Sequence, residues 1–559
     1  MKIQIDFRKN YKIYLYFGII FIVFMFTRLY RITSIPNGMH IDEVSMGYNV
    51  WSLSEYGTDR YNVSYPVYFS NAGSGQSSLY VYISVFLAKL FGYSLLTLRL
   101  PAVLFGILLL VFGTKTAYEI SGMRCAAITA FFITTLPFFI MSERWAFDCN
   151  AMLPMFVMAF YFFIKLLKTN KTKYAFLAGI GFALTLYSYI LAFIVVPVFL
   201  CTAVIYCLAF HKLSYKNLGI AAISGLICAL PILLYIFVII GILPEFQIGP
   251  VSVTAASAER MSELAWAGQS ISDIWQNLKL LTTYDNYSFT ANDKYGVGYM
   301  NGIYIFGFKL YVFPILLLAA FAVLAGVHIY RTIKHKAFCY EWLMVCYIIS
   351  GLAPMLFLEQ FAIYRYNAVF FGLVYALAYL FDLLWQHKVR VLCYLFFVLS
   401  VYNFGSYTVY VFSGVFSADY QALAYFDQDL MDICEKTDFG AYDAVYIDDT
   451  ATYNTGLIVS YAMRITPEDA ADEIQNIDTR NMIVRNVHMG IPDEIDPDEH
   501  ALYLIRDINA DTSFYTTTYE QTRLWESLVH NNEIRGLLME AGSDYVIDNN
   551  YYLIENRPR

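Results

Sequence analysis

Residues 11–47 read YKIYLYFGIIFIVFMFTRLYRITSIPNGMHIDEVSMG, and everything else in the chain follows from how this stretch is solvated. Residues 12–29 are almost entirely apolar, close to the ~20 residues that cross ~30 Å of hydrocarbon as a helix. Arg28 and Arg31 close the run and no small-residue cleavage site follows, so an uncleaved anchor is expected rather than a signal peptide. Pro36 and Gly38 then turn the chain, and two adjacent acids, Asp42 and Glu43, come just before a stretch running through Met46, Tyr48 and Trp51.

The same apolar signature recurs down to residue 412. Spans are expected near 12–29, 97–114, 125–141, 151–167, 174–190, 191–210, 217–241, 302–330, 338–357, 365–385 and 390–411, with 174–210 readable as one kinked span or two. Composition agrees. Of 559 residues, 58% are hydrophobic and only 15% charged, well under the roughly 25% charge of soluble chains. A net charge of −8 excludes a generally basic nucleic-acid binder, so no nucleic-acid partner is expected. That charge is unevenly spread: residues 417–559 hold 28 of the 45 acidic residues but only 9 of the 37 Lys and Arg. The expected fold class is a polytopic α-helical membrane protein of about eleven transmembrane helices (residues 1–416). A small C-terminal α/β extracytoplasmic domain (417–559) completes it.

Lys and Arg concentrate on the cytoplasmic side of membrane proteins. With eleven spans, the clusters at Lys2–Lys12, Lys165–Lys173, His211–Lys216, Arg331–Lys336 and Lys388–Arg390 all fall on one side. This predicts a multi-pass plasma-membrane protein with a cytoplasmic N-terminus. The other side receives residues 30–96, 142–150, 242–301, 358–364 and the acidic C-terminal region. Two of these external segments, 30–96 and 242–301, are longer than mere connections require. Within the first, residues 79–91 are apolar but too short to span, and read as a helix lying in the interface.

In the C-terminal region, Ala444–Ile447, Leu502–Ile505 and Tyr545–Ile547 read as strands and 520–541 as an amphipathic helix. No phosphate loop, nucleophile elbow or metal triad occurs there; Asp448–Asp449 read as acids at a strand end. Most of the nine cysteines sit in apolar runs, where they act as small hydrophobes.

The candidate chemistry lies in the first external segment. Asp42 and Glu43 stand at the outer interface, where partial desolvation suits a carboxylate to general-base work. Successive helical side chains diverge by about 100°, so only one of the two can enter a given cavity. The alternative is that Asp42 caps a helix. His40 and Glu43 also suggest a divalent ion, but two ligands do not make a site, and no metal or cofactor is expected to be required.

The order of motifs resembles the GT-C superfamily of membrane glycosyltransferases, in the branch of the dolichyl-phosphate-mannose protein mannosyltransferases and the lipid A aminoarabinose transferases. A P-x-G-x-x-x-D-E element is matched by Pro36, Gly38, Asp42 and Glu43. Gly47-Tyr48, Gly57-Thr58-Asp59, Gln76-Ser77-Ser78-Leu79, and Gly92, Ser94, Arg99 and Pro101 follow in the family's order. The match covers the first ~160 residues. It implies an inverting transfer of a sugar from a polyprenyl-phosphate donor to a lipid, glycan or protein acceptor at the outer face. Asp42 would act as base, with Glu43 as the second catalytic candidate.

Such a reaction needs positive charge for the departing phosphate. Arg144, Arg365 and Lys294 are the candidates, the alternative for each arginine being a snorkelling or ion-paired residue. His40, Tyr48, Gln76, Asn150, Tyr364 and Asn367 are candidate substrate contacts, and Trp51, Tyr61 and Trp145 candidate stacking surfaces. A transporter, lipid-sugar flippase or polysaccharide polymerase is the competing reading. The transporter signature of ionisable residues at span centres is weak here.

Overall fold

The computed structural model describes residues 7–71, 74–255, 269–282, 312–358, 363–412, 428–450, 455–470, 483–507, 519–541, 543–548 and 550–558. Ten helices open the chain: α1 (Phe7–Leu29), α2 (Ile41–Glu55), α3 (Ser78–Phe91), α4 (Leu95–Ser121), α5 (Met123–Thr135), α6 (Pro137–Ser142), α7 (Cys149–Thr169), α8 (Thr172–Leu186), α9 (Ala192–Ala209) and α10 (Tyr215–Ile239). Helices at Val312–His335, Tyr340–Leu352, Asn367–Gln386 and Arg390–Phe412 complete the bundle. The chain is an integral multi-pass membrane protein.

Among the described residues seven helices, not the expected eleven, are long and apolar enough to cross a bilayer. The shortfall has local causes. The expected span 125–141 breaks at Leu136 ahead of Pro137, because proline forces its predecessor out of the helical region. Region 174–210 is two helices, α8 and α9, of which α8 has only 15 residues. The span expected at 338–357 gives way after Leu352 to a 3₁₀ turn, Ala353–Leu356, that contains Pro354. Part of 302–330 lies outside the described residues.

Helices α4 and α7 run side by side. At one end Lys165 and Lys168 bind Glu119 at 2.9 and 3.4 Å, and Arg124 binds Asp382 at 2.7 Å. The other end carries Arg99 and Asn150, beside segment 30–96. The short apolar run at 79–91 forms a helix, α3, which buries Tyr80, Val81, Ser84 and Leu87 and exposes Phe86, Leu90 and Phe91. Ahead of it, β1 (Phe69–Asn71) and β2 (Ser74–Gln76) form a hairpin. A second hairpin, β3 (Phe246–Ile248) and β4 (Val251–Val253), joins the first segment where Val67 N–H donates to the Ser252 carbonyl at 3.0 Å.

The C-terminal region holds a six-stranded mixed sheet. Its strands are β5 (Ala444–Ile447), β6 (Ile483–Val484), β7 (Val487–Met489), β8 (Ala501–Arg506), β9 (Asp544–Asp548) and β10 (Tyr551–Asn556), in the order β6-β7-β5-β8-β10-β9. β5 pairs in parallel with β7 and β8, whereas β8, β10 and β9 are antiparallel. The three strand runs and the helix, Tyr519–Glu540, fall where the sequence placed them. Asp448 is not a solvated acid but fully buried, accepting from the backbone N–H groups of Thr450 (2.9 Å) and Arg506 (3.2 Å). The division at 416/417 lies outside the described residues.

This sheet region clamps α2. The Tyr48 hydroxyl donates to the Ile465 carbonyl at 2.6 Å, and the hydroxyls of Tyr93 and Tyr461 meet at 2.6 Å. The Arg464 guanidinium lies 4.4 Å from the Tyr461 ring centre and 4.9 Å from that of Tyr93, within cation–π range. Gly47 makes this approach possible: a Cβ there would fall 2.6 Å from the Tyr93 hydroxyl and 3.2 Å from the Tyr461 ring. Gly47→Val is therefore expected to loosen the clamp. Limited proteolysis should cut the variant between the two parts faster than the wild type, and an unchanged cleavage rate would refute the contact's importance.

Candidate active site

Helix α2 starts at a reciprocal cap. His40 is the N-cap, its Nδ1 accepting from Asp42 N–H at 3.1 Å while Glu43 Oε2 accepts from His40 N–H at 3.2 Å. Asp42 is thus in the first turn rather than at the cap. Its negative charge lies at the positive end of the helix dipole. Burial holds His40 below the ordinary imidazole range against the opposing pull of Asp42 and Glu43, consistent with a neutral ring whose Nδ1 lone pair is already engaged.

The two acids have opposite environments. The Asp42 side chain is 39% exposed, with Oδ2 3.5 Å from His40 Nδ1. Glu43 is fully enclosed. Its Oε1 accepts from Arg99 Nε at 3.0 Å and Ala146 N–H at 2.9 Å, and its Oε2 from Arg99 Nη2 at 2.8 Å. With both oxygens occupied, Glu43 cannot take a substrate proton; the expectation of a catalytic role is corrected to one of anchoring α2. Arg99 extends the anchor, donating to the carbonyls of Ile32 (2.9 Å), Pro36 (3.1 Å) and Gly38 (2.7 Å).

Arg144 is corrected as well. It is wholly buried, and its three nitrogens donate to the carbonyls of Thr27 (2.7 Å), Arg28 (3.1 Å), Tyr30 (2.8 Å), Arg31 (3.3 Å) and Ile35 (2.7 Å). These include orphan acceptors at the C-terminus of α1, so the guanidinium caps a helix rather than facing a phosphate. Glu143, its nearest acid in sequence, instead pairs with Arg28 at 2.7 Å.

Other candidates gather near Asp42. Asp148, at the start of α7, accepts from Ser77 N–H at 2.8 Å and Cys149 N–H at 2.7 Å, drawing the Gln76-Ser77 segment onto α7. The His40 ring lies 5.0 Å from that of Phe147, just ahead of α7, so the starts of α2 and α7 are neighbours. Asn367 donates to the Cys149 carbonyl and thereby brings the 3₁₀ turn Ile363–Tyr366, which carries Tyr364 and the buried Arg365, to the same helix start. Asn150 is buried there too, donating to the Trp145 carbonyl at 3.3 Å, and Gln76 is buried at the end of β2.

Tyr48 and Trp145 are fully buried, Tyr48 against the C-terminal sheet region, so neither presents a ring to a sugar. Lys294 lies outside the described residues. Among the described residues no three His, Cys, Asp or Glu side chains gather as metal ligands. A cavity lined by Tyr330, Arg331, His335 and Cys339 opens at the Lys168 end of the bundle, away from Asp42, with no carboxylate in its wall.

No local pattern announces the Arg99–Glu43 pair, since residues 56 apart have no spacing rule; a motif arginine in the first turns of a span was the one available signal. Glu43→Ala leaves Arg99 buried and unpaired, and should destabilise the protein by about 3–5 kcal/mol. Asp42→Ala, which removes a half-exposed acid, should cost no more than about 1 kcal/mol. Thermal unfolding of both variants in detergent checks the contrast, and equal melting points would contradict the division of roles.

Residues 76–235 match the family described as Dolichyl-phosphate-mannose-protein mannosyltransferase. No curated protein sequence matches the chain. Among solved structures, ArnT from Cupriavidus metallidurans bound to undecaprenyl phosphate superposes with a TM-score of 0.54 at 11% identity, covering 98% of each chain. The Archaeoglobus fulgidus oligosaccharyltransferase in complex with Zn and sulfate superposes with a TM-score of 0.52 at 13% identity, over 97% of this chain and 73% of that one. At these identities the likeness is one of fold. The chain therefore shares the fold of these two membrane proteins, and the family match extends over residues 76–235.

Proposed function

We propose that the chain is an inverting glycosyltransferase that moves a sugar from a polyprenyl-phosphate donor to an acceptor hydroxyl or amine at the outer face of the membrane, with Asp42 as base. The observation that carries this reading is the asymmetry of the acid pair: Glu43 is locked to Arg99, which leaves Asp42 as the half-exposed carboxylate on a fixed helix start. Asp42 takes the acceptor proton as the acceptor's O or N bonds to the anomeric carbon. The bond from that carbon to the phosphate oxygen breaks, and its electron pair leaves with the phosphate. A phosphate needs no general acid to depart, only nearby positive charge. Arg365 is the candidate for that charge, because Asn367 ties its turn to the start of α7, which adjoins the start of the helix carrying Asp42. Gln76, Asn150 and Tyr364 are candidate contacts to donor or acceptor.

The topology belongs to the same proposal. Eleven crossings would place the basic helix ends in the cytoplasm, and the site and the domain at 417–559 outside the plasma membrane, where a lipid-linked donor presents its sugar. The ion-paired ends at Glu119–Lys165 and Arg124–Asp382, opposite the Asp42 end of α4 and α7, support that orientation.

Asp42→Asn should abolish transfer from undecaprenyl-phosphate-linked sugars, with titration by undecaprenyl phosphate still showing near wild-type binding. A general base contributes about 10²–10⁴-fold. Turnover within a few-fold of wild type would overturn the assignment. Arg365→Ala should chiefly weaken the undecaprenyl phosphate titration, and undiminished binding would remove Arg365 from the site.

A further inference from the structure

Behind Asp42 lies a chain of buried polar groups with a fixed hydrogen-bond polarity. Arg60 is 2% exposed and has no carboxylate within ion-pair distance among the described residues. Its Nη1 donates to Ser45 Oγ at 2.7 Å. A guanidinium has only donors, so Ser45 must accept there, and its own proton is directed at Asn71 Oδ1, 2.7 Å away. Arg60 Nη2 approaches the same oxygen at 3.4 Å. The Asn71 oxygen is thereby committed to two donors, which turns its Nδ2 toward Asp42 Oδ1, 3.4 Å away. Asn71 sits at the tip of β1, Ser45 one helical turn after Asp42 on α2, and Arg60 on the loop between them.

Resting on the assignment of Asp42 as the base, we propose that Asn71 is a positioning residue for it. Its amide, oriented by Arg60 through Ser45, holds Asp42 Oδ1 and leaves Oδ2 as the oxygen that meets the acceptor proton. A base that must meet one proton in one direction gains from having a single oxygen free and the other tethered. The approach of 3.4 Å is long for a hydrogen bond, as is usual for such contacts before substrate closes the site. The polarity also explains a buried arginine without an acid: its charge acts along the relay, polarising the amide toward the carboxylate.

The test compares Asn71→Asp, Asn71→Leu and Asp42→Asn in the full-length protein, using transfer or hydrolysis of whichever undecaprenyl-phosphate-linked sugar the wild type turns over. Asn71→Asp is nearly isosteric and keeps the oxygen facing Ser45 and Arg60, but it presents an acceptor to Asp42 in place of a donor. Its kcat should fall about ten- to hundred-fold, the worth of one hydrogen bond to a charged group. The KM for the donor and binding of undecaprenyl phosphate should stay within two-fold of wild type. Asn71→Leu, which simply lacks the donor, should show the same split, and it carries the test should the aspartate variant fold poorly. A purely structural role would instead move the melting point and KM with kcat. The inference is overturned on its own if Asp42→Asn is inactive while both Asn71 variants keep wild-type kcat. It falls together with the assignment of the base if Asp42→Asn remains active.

Discussion

The Arg99–Glu43 ion pair is fully closed to solvent, and the Asp42 end of the molecule is arranged around it. Enclosing two charges is tolerable only if their remaining donors and acceptors are met. Here they are met by backbone groups: the carbonyls of Ile32, Pro36 and Gly38, the N–H of His40, and the N–H of Ala146. One pair therefore fixes the loop after α1, the start of α2, the second turn of α4 and the segment before α7 relative to one another. A second buried arginine, Arg144, repeats the device by capping α1, and a third, Arg28, ties α1 to Glu143. All three guanidiniums are consumed in building the frame, while the turn carrying Arg365 is joined to the start of α7 through Asn367.

That frame explains how adjacent acids come to have different roles. Consecutive helical side chains point about 100° apart, so once Glu43 is drawn inward to Arg99, Asp42 is turned away from that pair and keeps its side chain partly exposed. The His40 cap and the helix dipole keep that carboxylate in place without covering it. The same rotation places Gly47 and Tyr48 on the face that meets the C-terminal sheet region. The C-terminal sheet region thus packs on the same 15-residue helix that carries the candidate base, and a displacement of that region would be felt at Asp42.

What was legible in the sequence was whatever depends on local pattern. The long apolar helices, the short apolar helix at 78–91, the strands around Val445, Leu504 and Val546, and the Asp42-Glu43 pair at a helix start all announce themselves through contiguous residues. Pro137 and Pro354 were visible too, but a hydropathy reading averages over them and so overestimated the lengths of those spans. Long-range pairing was not legible. Arg144 beside Glu143 looks like a local salt bridge or a phosphate ligand, yet burial sends each to a partner more than a hundred residues away. Asn71 reads as an ordinary loop residue in NAGSG, because only the hairpin register brings it against Asp42. The aromatic residues misled for a related reason, since Tyr48 and Trp145 have the amphipathic character of a stacking surface and equally that of a buried contact.

The central claim is that Asp42 and the turn carrying Arg365 face each other across one donor site. The most direct measurement is the structure of the full-length protein with undecaprenyl phosphate bound, determined by cryo-electron microscopy in a lipid nanodisc. The expected result is a phosphate within hydrogen-bonding distance of Arg365, the anomeric position open toward Asp42 and the Arg99–Glu43 pair undisturbed. A phosphate held instead at the opposite end of the bundle, beside Arg331 and His335, would contradict it.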